Sequence, residues 1–324
     1  MSATRALVGA VLASLVLSWP AGSPAARQDA QRVVTHPFQG ITYIDRTDTS
    51  PRAVHMHVVQ ADLSTPGLRI KVSPHAGSLE VERQTTTAFL EEEHAQVAIN
   101  AHFFWPWPSA STESDVVGIA ASDGDVYSAF ETPEQSYALL PDAPGINIDR
   151  DNHASLVHRD PGAADGRRVR EPVTLWNTVA GSAEIVTEGR VTIPVYRDAE
   201  HPDGTLTAGG PGAGFSNTHS WYEATNARTS IGLSRDARTL TLFTVDVRGG
   251  SLGMTVGEVA RRLIEEFGCW EALNLDGGGS TSMAMEDPAT HEARLVNASS
   301  DNPSGRAVGS SLAVFVPHGG GRPR

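Results

Sequence analysis

The feature that most constrains the fold is a run of three consecutive glycines at residues 277–279, placed between an aspartate and three hydroxyl residues. A short apolar segment, residues 272–275, leads directly into Asp276 and these glycines. Three adjacent glycines give up side-chain packing and raise the entropy cost of ordering the loop, so they indicate a backbone path that a Cβ would obstruct. Asn274 and Asp276 would share one face of a strand. Taken alone, the pattern fits a tight turn capped by the aspartate equally well.

The amino end has the pattern of a secretory signal peptide. Residues 1–26 contain one basic residue, an apolar run over 6–17 and a series of small residues. We expect cleavage there, followed by a flexible segment over 27–39, a single domain over 40–317 and a polar tail over 318–324. The apolar run is short for a bilayer span and has no successor, so we expect no membrane span after cleavage and a secreted protein, extracellular or periplasmic. A retained amino-terminal anchor is the alternative.

Charge and cysteine content narrow the classes of partner. The net charge of −13 argues against nucleic acid as a ligand, because a long-range negative field repels polyanions. An anionic ligand would need a local arginine cluster. The single cysteine, Cys269, cannot form an internal disulfide, and its place after an apolar helical pattern indicates a buried structural thiol.

Periodicity predicts an α+β fold in one domain, with mixed, mostly antiparallel sheets and a few helices. Residues 255–267 have apolar positions at helical spacing, and Thr255 with Glu258 forms a capping-box pattern. Gly268 follows as a helix stop. A second, shorter helix is predicted over 85–94. Alternating segments predict strands over 41–44, 53–62, 68–72, 97–104, 227–234, 239–248 and 306–316. Residues 149–177 and 197–220 are predicted to be loops.

Polar residues that follow apolar strands are the candidates for a site. Asn100 and His102 end one strand, and Asp246 and Arg248 end another. His55 and His57 also share a strand face at a spacing that could bind metal. We favour a solvated strand face for them, because no further ligand pattern accompanies the pair.

The motifs occur together in a recognisable order. They are Asn100 ahead of Phe103 and Phe104, Arg228-Thr229 ahead of an Ile-Gly strand, Asp246 and Arg248, the capped helix, residues 274–281, and Asn297 ahead of Arg306. Together they resemble the phosphodiester glycosidase family, and the run at 274–281 is the most specific part. Members of that family commonly carry Gly-Gly where this chain has Ala101-His102, which would set a bulky titratable group at the pocket wall.

The resemblance implies hydrolysis of the bond between a sugar, such as N-acetylglucosamine, and a phosphodiester. An oxocarbenium-like transition state needs a carboxylate, and a phosphate leaving group needs cations more than a proton. Asp276 and Asp246 are the catalytic candidates, and arginine suits a phosphate clamp. The candidates for substrate binding are Asn100, His102, Arg228, Arg248, Asn274, Gly277, Gly278, Ser280, Thr281 and Arg306. No cofactor is expected to be required, although a divalent cation such as calcium could sit at acids such as Asp276.

Three other classes match parts of the pattern. A serine hydrolase with Ser280 as nucleophile lacks the glycine that the nucleophile elbow needs two positions later, where Ser282 stands. A phosphate-binding loop of the P-loop type lacks the Lys-Ser/Thr pair. A secreted carbohydrate-binding or envelope module that kept the fold and lost turnover remains the alternative, and His102 is the residue that favours it.

Overall fold

The computed structural model of the protein describes residues 31–130, 140–193 and 222–317. The predicted signal peptide, the polar tail and the loop predicted at 197–220 lie outside these residues. None of the helices in the described ranges combines the length and the apolar character needed to cross a membrane.

The described residues form two α-helices and 23 β-strands. In chain order they are β1 (Gln31–Phe38), β2 (Ile41–Asp48), β3 (Val54–Asp62), β4 (Arg69–Val72), β5 (Val81–Glu82), β6 (Gln84–Thr85), α1 (Thr86–Glu93), β7 (Val97–Asn100), β8 (Phe104–Trp105), β9 (Glu113–Val116), β10 (Ala120–Ser122), β11 (Asp125–Ser128), β12 (Gly145–Ile148), β13 (Ala154–Val157), β14 (Asn177–Ala180), β15 (Ala183–Thr187), β16 (Arg190–Val191), β17 (Arg228–Ser234), β18 (Thr239–Val245), α2 (Val256–Glu265), β19 (Cys269–Asn274), β20 (Met283–Glu286), β21 (Ala293–Leu295), β22 (Ala307–Val308) and β23 (Ser311–Phe315). A short 3-10 helix, Gly278–Ser280, lies between β19 and β20.

Three larger sheets organise these strands. An eight-stranded sheet has the order β1-β2-β3-β18-β17-β19-β15-β16, and two five-stranded sheets have the orders β21-β20-β7-β23-β4 and β11-β10-β14-β12-β13. Two small sheets, β22-β6 and β5-β9-β8, lie beside them. Every pairing among the described residues is antiparallel. The prediction of mostly antiparallel sheets is confirmed, and no parallel pair accompanies them in this part of the chain.

The largest apolar core lies between the eight-stranded sheet and the sheet that contains β7. It includes Ile231 and Leu242 from the first sheet and Ile99 and Leu312 from the second, all almost fully buried. Period-2 alternation places these side chains on one face of each strand, and each such burial stabilises the fold by roughly 1.5–3 kcal/mol. Strands β12 and β14 close one end of this core through residues such as Ile146.

The two helices cover the outer faces of these sheets. Helix α2 packs Val259 and Leu263 on the far face of the eight-stranded sheet, where Phe243 points. Its capping box is confirmed: Glu258 N donates to Thr255 Oγ1 at 3.2 Å, and Thr255 N donates to the Glu258 carboxylate at 2.8 Å. Helix α1 packs Phe89 and Leu90 against the outer face of the β7 sheet. The layers therefore run helix, sheet, sheet, helix, and the molecule is largely β, so the α+β label holds only loosely.

Two boundary predictions are wrong. Residues 27–39 are predicted to be flexible, yet Gln31–Phe38 forms β1, which pairs with β2 from Gln31↔Thr47 to Phe38↔Ile41. Its side chains are mostly exposed, so main-chain hydrogen bonds rather than apolar burial hold it, and sequence pattern does not report those. Residues 149–177 are predicted to be loop, yet Ala154–Val157 pairs with β12 as strand β13.

Candidate active site

The glycine loop lies where strand ends from both sheets of the main core meet. Its backbone is joined to three neighbours: Leu275 N donates to Thr229 O at 2.9 Å, Asp276 N to Ala101 O at 3.1 Å and Gly278 N to Ala227 O at 2.8 Å. These bonds satisfy the main-chain groups of a loop that is almost entirely buried. The loop is thus held in place by main-chain hydrogen bonds at one end of the two packed sheets.

Two of the glycines are required by geometry. Gly278 has φ of +59°, in the left-handed region where a Cβ is strained. Gly279 lies against the guanidinium of Arg306, and a Cβ there would overlap its Nη2 and Cζ atoms. The prediction of backbone conformations or close approach that a Cβ would forbid is confirmed by the φ of Gly278 and by the contact of Gly279 with Arg306.

Asp276 is a buried carboxyl with a raised pKa. Its side chain is 8% exposed. Burial raises the pKa of Asp276 to about 7, although the Ser280 hydroxyl, the charge of Arg306 and the Gly277 N–H all act to lower it. A carboxyl with a pKa near neutrality can both give and take a proton under physiological conditions.

Arg306 is the arginine whose charge acts on Asp276. Its Nε donates to Asp301 Oδ2 at 2.8 Å and its Nη1 to Ser280 Oγ at 3.1 Å. Its guanidinium lies over the Trp107 ring, 4.0 Å from the centroid. These three contacts orient the planar fork, while Nη2 makes no hydrogen bond with any residue in the described ranges.

Asn100 is predicted to bind substrate, but in the structure its side chain contacts the main chain of Asp276 and holds that residue in position. Its Nδ2 donates to the main-chain oxygen of Asp276 at 2.6 Å. Its Oδ1 accepts from Thr229 Oγ1 at 2.8 Å and from Ser282 N at 2.9 Å. The side chain is fully buried and its groups are used within the protein, so it holds the strand ends together.

His102 is fully enclosed by the described residues, which argues against its prediction as a substrate-binding residue at a pocket wall. It is fully buried, and burial lowers its pKa to about 4. Its Nε2 lies 3.0 Å from Ala180 N and 3.2 Å from Ile119 O, and its Nδ1 lies 2.7 Å from Ser310 Oγ. The neutral imidazole therefore connects the end of β7 to β14 and has a structural role.

The other two predicted arginines do not join Arg306 at Asp276. Arg228 is buried on the α2 side of the sheet, where its Nε donates to Met254 O at 3.0 Å. Burial lowers the pKa of Arg228 to about 9. Arg248 is exposed and its Nη2 donates to Ser300 O at 3.0 Å, on the loop that leads to Arg306.

Asn274 likewise faces away from Asp276, although the two are predicted to share a face. Strand β19 ends at Asn274, so the alternation does not continue to Asp276. Asn274 Nδ2 donates to Ser182 Oγ at 2.8 Å and the residue is paired with Ser230. Of the three predicted clamp arginines, only Arg306 acts on the Asp276 carboxyl. Of the two asparagines, Asn100 contacts Asp276, through its main-chain oxygen.

The second predicted acid, Asp246, is fully buried beside the loop. Its Oδ1 accepts from Asn297 Nδ2 at 3.2 Å and its Oδ2 accepts from Ala298 N at 3.1 Å. The same Asn297 amide nitrogen donates to Thr281 O at 3.1 Å. Asn297 therefore links the surroundings of Asp246 to the glycine loop. Thr281 completes the link, because its Oγ1 lies 3.3 Å from Thr229 Oγ1.

Several residues that surround the site were not identified from the sequence. Trp107 and Asp301, which orient Arg306, belong to an aromatic-proline run and a polar loop. His57 is 1% exposed, so the prediction of a solvated face is wrong for it. Its burial comes from β2 and β18, which flank β3 on both sides.

Comparisons with known proteins agree with this architecture. A family model described as phosphodiester glycosidase matches residues 93–315. A search of curated proteins gave no match. Solved structures with a similar fold include the following three. The catalytic domain of zebrafish N-acetylglucosamine-1-phosphodiester alpha-N-acetylglucosaminidase, auto-inhibited by its pro-peptide, is 19% identical with a TM-score of 0.55, and the match covers 90% of this chain and 85% of that one.

The other two structures are less well described. A putative exported protein from Burkholderia pseudomallei is 17% identical with a TM-score of 0.54, covering 82% of this chain and 74% of that one. A hypothetical protein from Synechocystis is 17% identical with a TM-score of 0.54, covering 88% of this chain and 64% of that one. At these identities the similarity establishes a shared fold.

Proposed function

Because the chain belongs to the phosphodiester glycosidase family, we propose that it is a hydrolase that cleaves the glycosidic bond of a sugar phosphodiester. The substrate we propose is an N-acetylglucosamine-1-phosphodiester or a related glycosyl phosphate. The family match bears out the resemblance inferred from the motifs. The observation that carries the proposal is the pairing of a buried, near-neutral carboxyl, Asp276, with an oriented arginine, Arg306.

This pairing fits the leaving group of the proposed reaction. Cleavage of the C1–O bond releases a phosphate monoester, whose second pKa is about 6. A carboxyl with a pKa of about 7 is matched to hand a proton to such an oxygen. The N–H donors on Nη2 of Arg306 can meet the phosphate oxygens as their charge grows. We therefore assign Asp276 as the general acid and Arg306 as the phosphate ligand.

The surroundings of Asp276 support the same roles. Ser280 contacts both groups, since it hydrogen bonds to the Asp276 carboxyl and accepts from Arg306. Trp107 holds the guanidinium from one side and is 40% exposed, so this edge of the loop is open to solvent. Gly277, Gly278 and Thr281 shape the loop through their backbones. Asp246 remains the candidate for the second carboxyl of the mechanism, in support of the oxocarbenium-like state.

We further propose that the protein is secreted. The support is the signal-peptide pattern in residues 1–26, together with a similar fold in a protein described as exported. The non-catalytic carbohydrate-binding alternative rests on His102 as a pocket residue. Since His102 is fully buried and bonded to Ala180 N, it does not favour that alternative.

The test is product analysis on UDP-N-acetylglucosamine and on a simple N-acetylglucosamine phosphodiester. We expect the wild-type protein to release free sugar and Asp276→Asn to lose turnover while remaining folded. Asp125→Asn, which removes an exposed carboxylate on β11, is the matched control and should retain activity. Absence of release from these and from a panel of other glycosyl phosphates, with sugar binding still measurable, would refute the hydrolase assignment in favour of a binding module.

A further inference from the structure

A cluster of two histidines and two aspartates lies beside the glycine loop, and of its members only Asp246 has a role in the proposed reaction. Donor atoms of Asp45, His55 and His57 all lie within 4.8 Å of one another. Register explains the grouping, because Asp45 pairs with His57 across β2 and β3. On the other side of β3, Asp246 N donates to His55 O at 2.9 Å, which brings the Asp246 carboxylate alongside both rings.

The spacing between the inner atoms suits ligands of one ion better than a hydrogen-bonded pair. Asp246 Oδ2 is 3.4 Å from His57 Nε2 and 3.6 Å from His55 Nδ1. Ligands about 2.0–2.1 Å from a tetrahedral ion lie about 3.4 Å apart, whereas hydrogen-bonded N and O atoms lie about 2.7–3.2 Å apart. The two ring centroids are 4.2 Å apart and the planes are tilted by 56°, so the rings are close without being stacked.

One of these atoms is an unpartnered buried nitrogen. His57 is 1% exposed, and its Nε2 has no hydrogen-bond partner among the described residues. Burying such a nitrogen without a partner costs free energy that a metal–nitrogen bond would recover. The atom lies on the side of the ring that faces Asp246.

The outer nitrogens of both histidines are held by oxygen partners. His57 Nδ1 lies 2.8 Å from Tyr43 Oη, and His55 Nε2 lies 2.7 Å from Asp45 Oδ1. If each outer nitrogen carries the proton and donates it, the inner nitrogens keep their lone pairs. Metal-binding histidines in proteins characteristically have this second partner, which fixes the tautomer and the ring orientation.

We propose that His55 Nδ1, His57 Nε2 and Asp246 Oδ2 form a three-ligand site for a divalent transition metal ion, with Asp45 and Tyr43 as supporting partners. Two imidazoles and a carboxylate suit Zn²⁺ or Co²⁺, whereas calcium prefers oxygen ligands alone. The fourth position would be left for water or a ligand. Asn297, which contacts both Asp246 and Thr281 O, connects this site to the glycine loop.

The test is metal binding by the purified full chain after treatment with a chelator, measured without substrate. Titration with Co²⁺ should give visible d–d absorption that saturates at one ion per chain, and Zn²⁺ should displace it. His57→Gln and His55→Gln should weaken binding by more than about tenfold. His153→Gln, an exposed histidine paired with Asp149, is the matched control and should bind as the wild type does.

A third variant tests whether weaker binding could come from misfolding of the histidine variants. Tyr43→Phe keeps both histidines and the apolar ring but removes the partner of His57 Nδ1, and it should weaken Co²⁺ binding by about tenfold. No Co²⁺ or Zn²⁺ binding by the wild-type chain, or equal binding by the wild type and all three site variants, would overturn the proposal. Because the readout is binding, its failure is separate from failure of the glycosidase assay.

Discussion

Gly279 lies so close to the guanidinium of Arg306 that a Cβ at this position would overlap the arginine. We expect Gly279→Ala to displace Arg306 from Ser280 and to lower kcat/KM on a sugar phosphodiester by roughly 10- to 100-fold, the value of one charge-assisted hydrogen bond. Steady-state kinetics measure this effect. Gly257→Ala in α2 is the matched control, because a Cβ there meets only ordinary contacts and should leave kcat/KM unchanged. Equal activity in both variants would contradict the proposed role of Arg306.

Asp276 should make stability depend on pH. Because burial raises its pKa to about 7, the unfolded chain loses this proton more readily than the folded one, and wild-type stability falls as pH rises from about 4 to about 7. Asp276→Asn removes the effect. The variant should exceed the wild type in unfolding free energy above pH 7 by on the order of 4 kcal/mol and match it near pH 4.

Urea denaturation at pH 4.5, 6 and 8 measures this difference. Glu92→Gln, on the exposed side of α1, controls for the loss of one carboxyl. A constant gap between Asp276→Asn and the wild type across the three pH values would show that the carboxyl is not perturbed by burial.

Arg306 should set the alkaline limit of activity. Its positive charge lowers the pKa of Asp276, so removing it in Arg306→Met should raise that pKa and move the descending limb of the rate–pH profile upward by about one unit. Arg306→Lys keeps the charge but loses the planar fork, so the limb should stay in place while KM rises. If Arg306→Met leaves the limb unmoved, Asp276 is not the acid that the limb reports.

His102 should impose the opposite pH dependence. Burial lowers its pKa to about 4, so stability is fully present above pH 6.5 and is lost as pH falls towards 4, where the unfolded chain takes up the proton first. His102→Gln should be less stable than the wild type at pH 7, because it breaks the bond from Ala180 N, and the gap should narrow by pH 4.5. Urea denaturation with exposed His153→Gln as control measures it. A gap that widens on acidification would mean that His102 is charged in the fold.

Local pattern was sufficient for the elements whose causes are local. The helix with its capping box at Thr255 and Glu258, the β17–β18 hairpin and the positive φ of Gly278 all depend on residues close in sequence. The motifs also identified Asp276 and Arg306 as candidates, and the structure brings this pair together.

Contacts between residues far apart in sequence could not be predicted from local pattern. Burial of His57 depends on β18, which is nearly two hundred residues away in sequence. The sequence gives no reason to prefer Arg228, Arg248 or Arg306 as the partner of Asp276. Which of them lies beside Asp276 depends on the sheet face to which each strand residue points and on the course of the loops. His102 follows a strand end as an active-site residue would, yet its pairing with Ala180 N makes it part of the core.

Strand β1 also determines how far the chain can be shortened from its amino end without exposing a sheet edge. It is the outermost strand of the eight-stranded sheet, and its main chain covers the open side of β2 from Ile41 to Thr47. A shortened chain that begins at residue 40, where the sequence pattern predicts the start of the domain, would leave that row of N–H and C=O groups unpaired. An uncovered strand edge recruits another edge, so such a chain should self-associate in solution, whereas one that retains Gln31–Phe38 should not by this route.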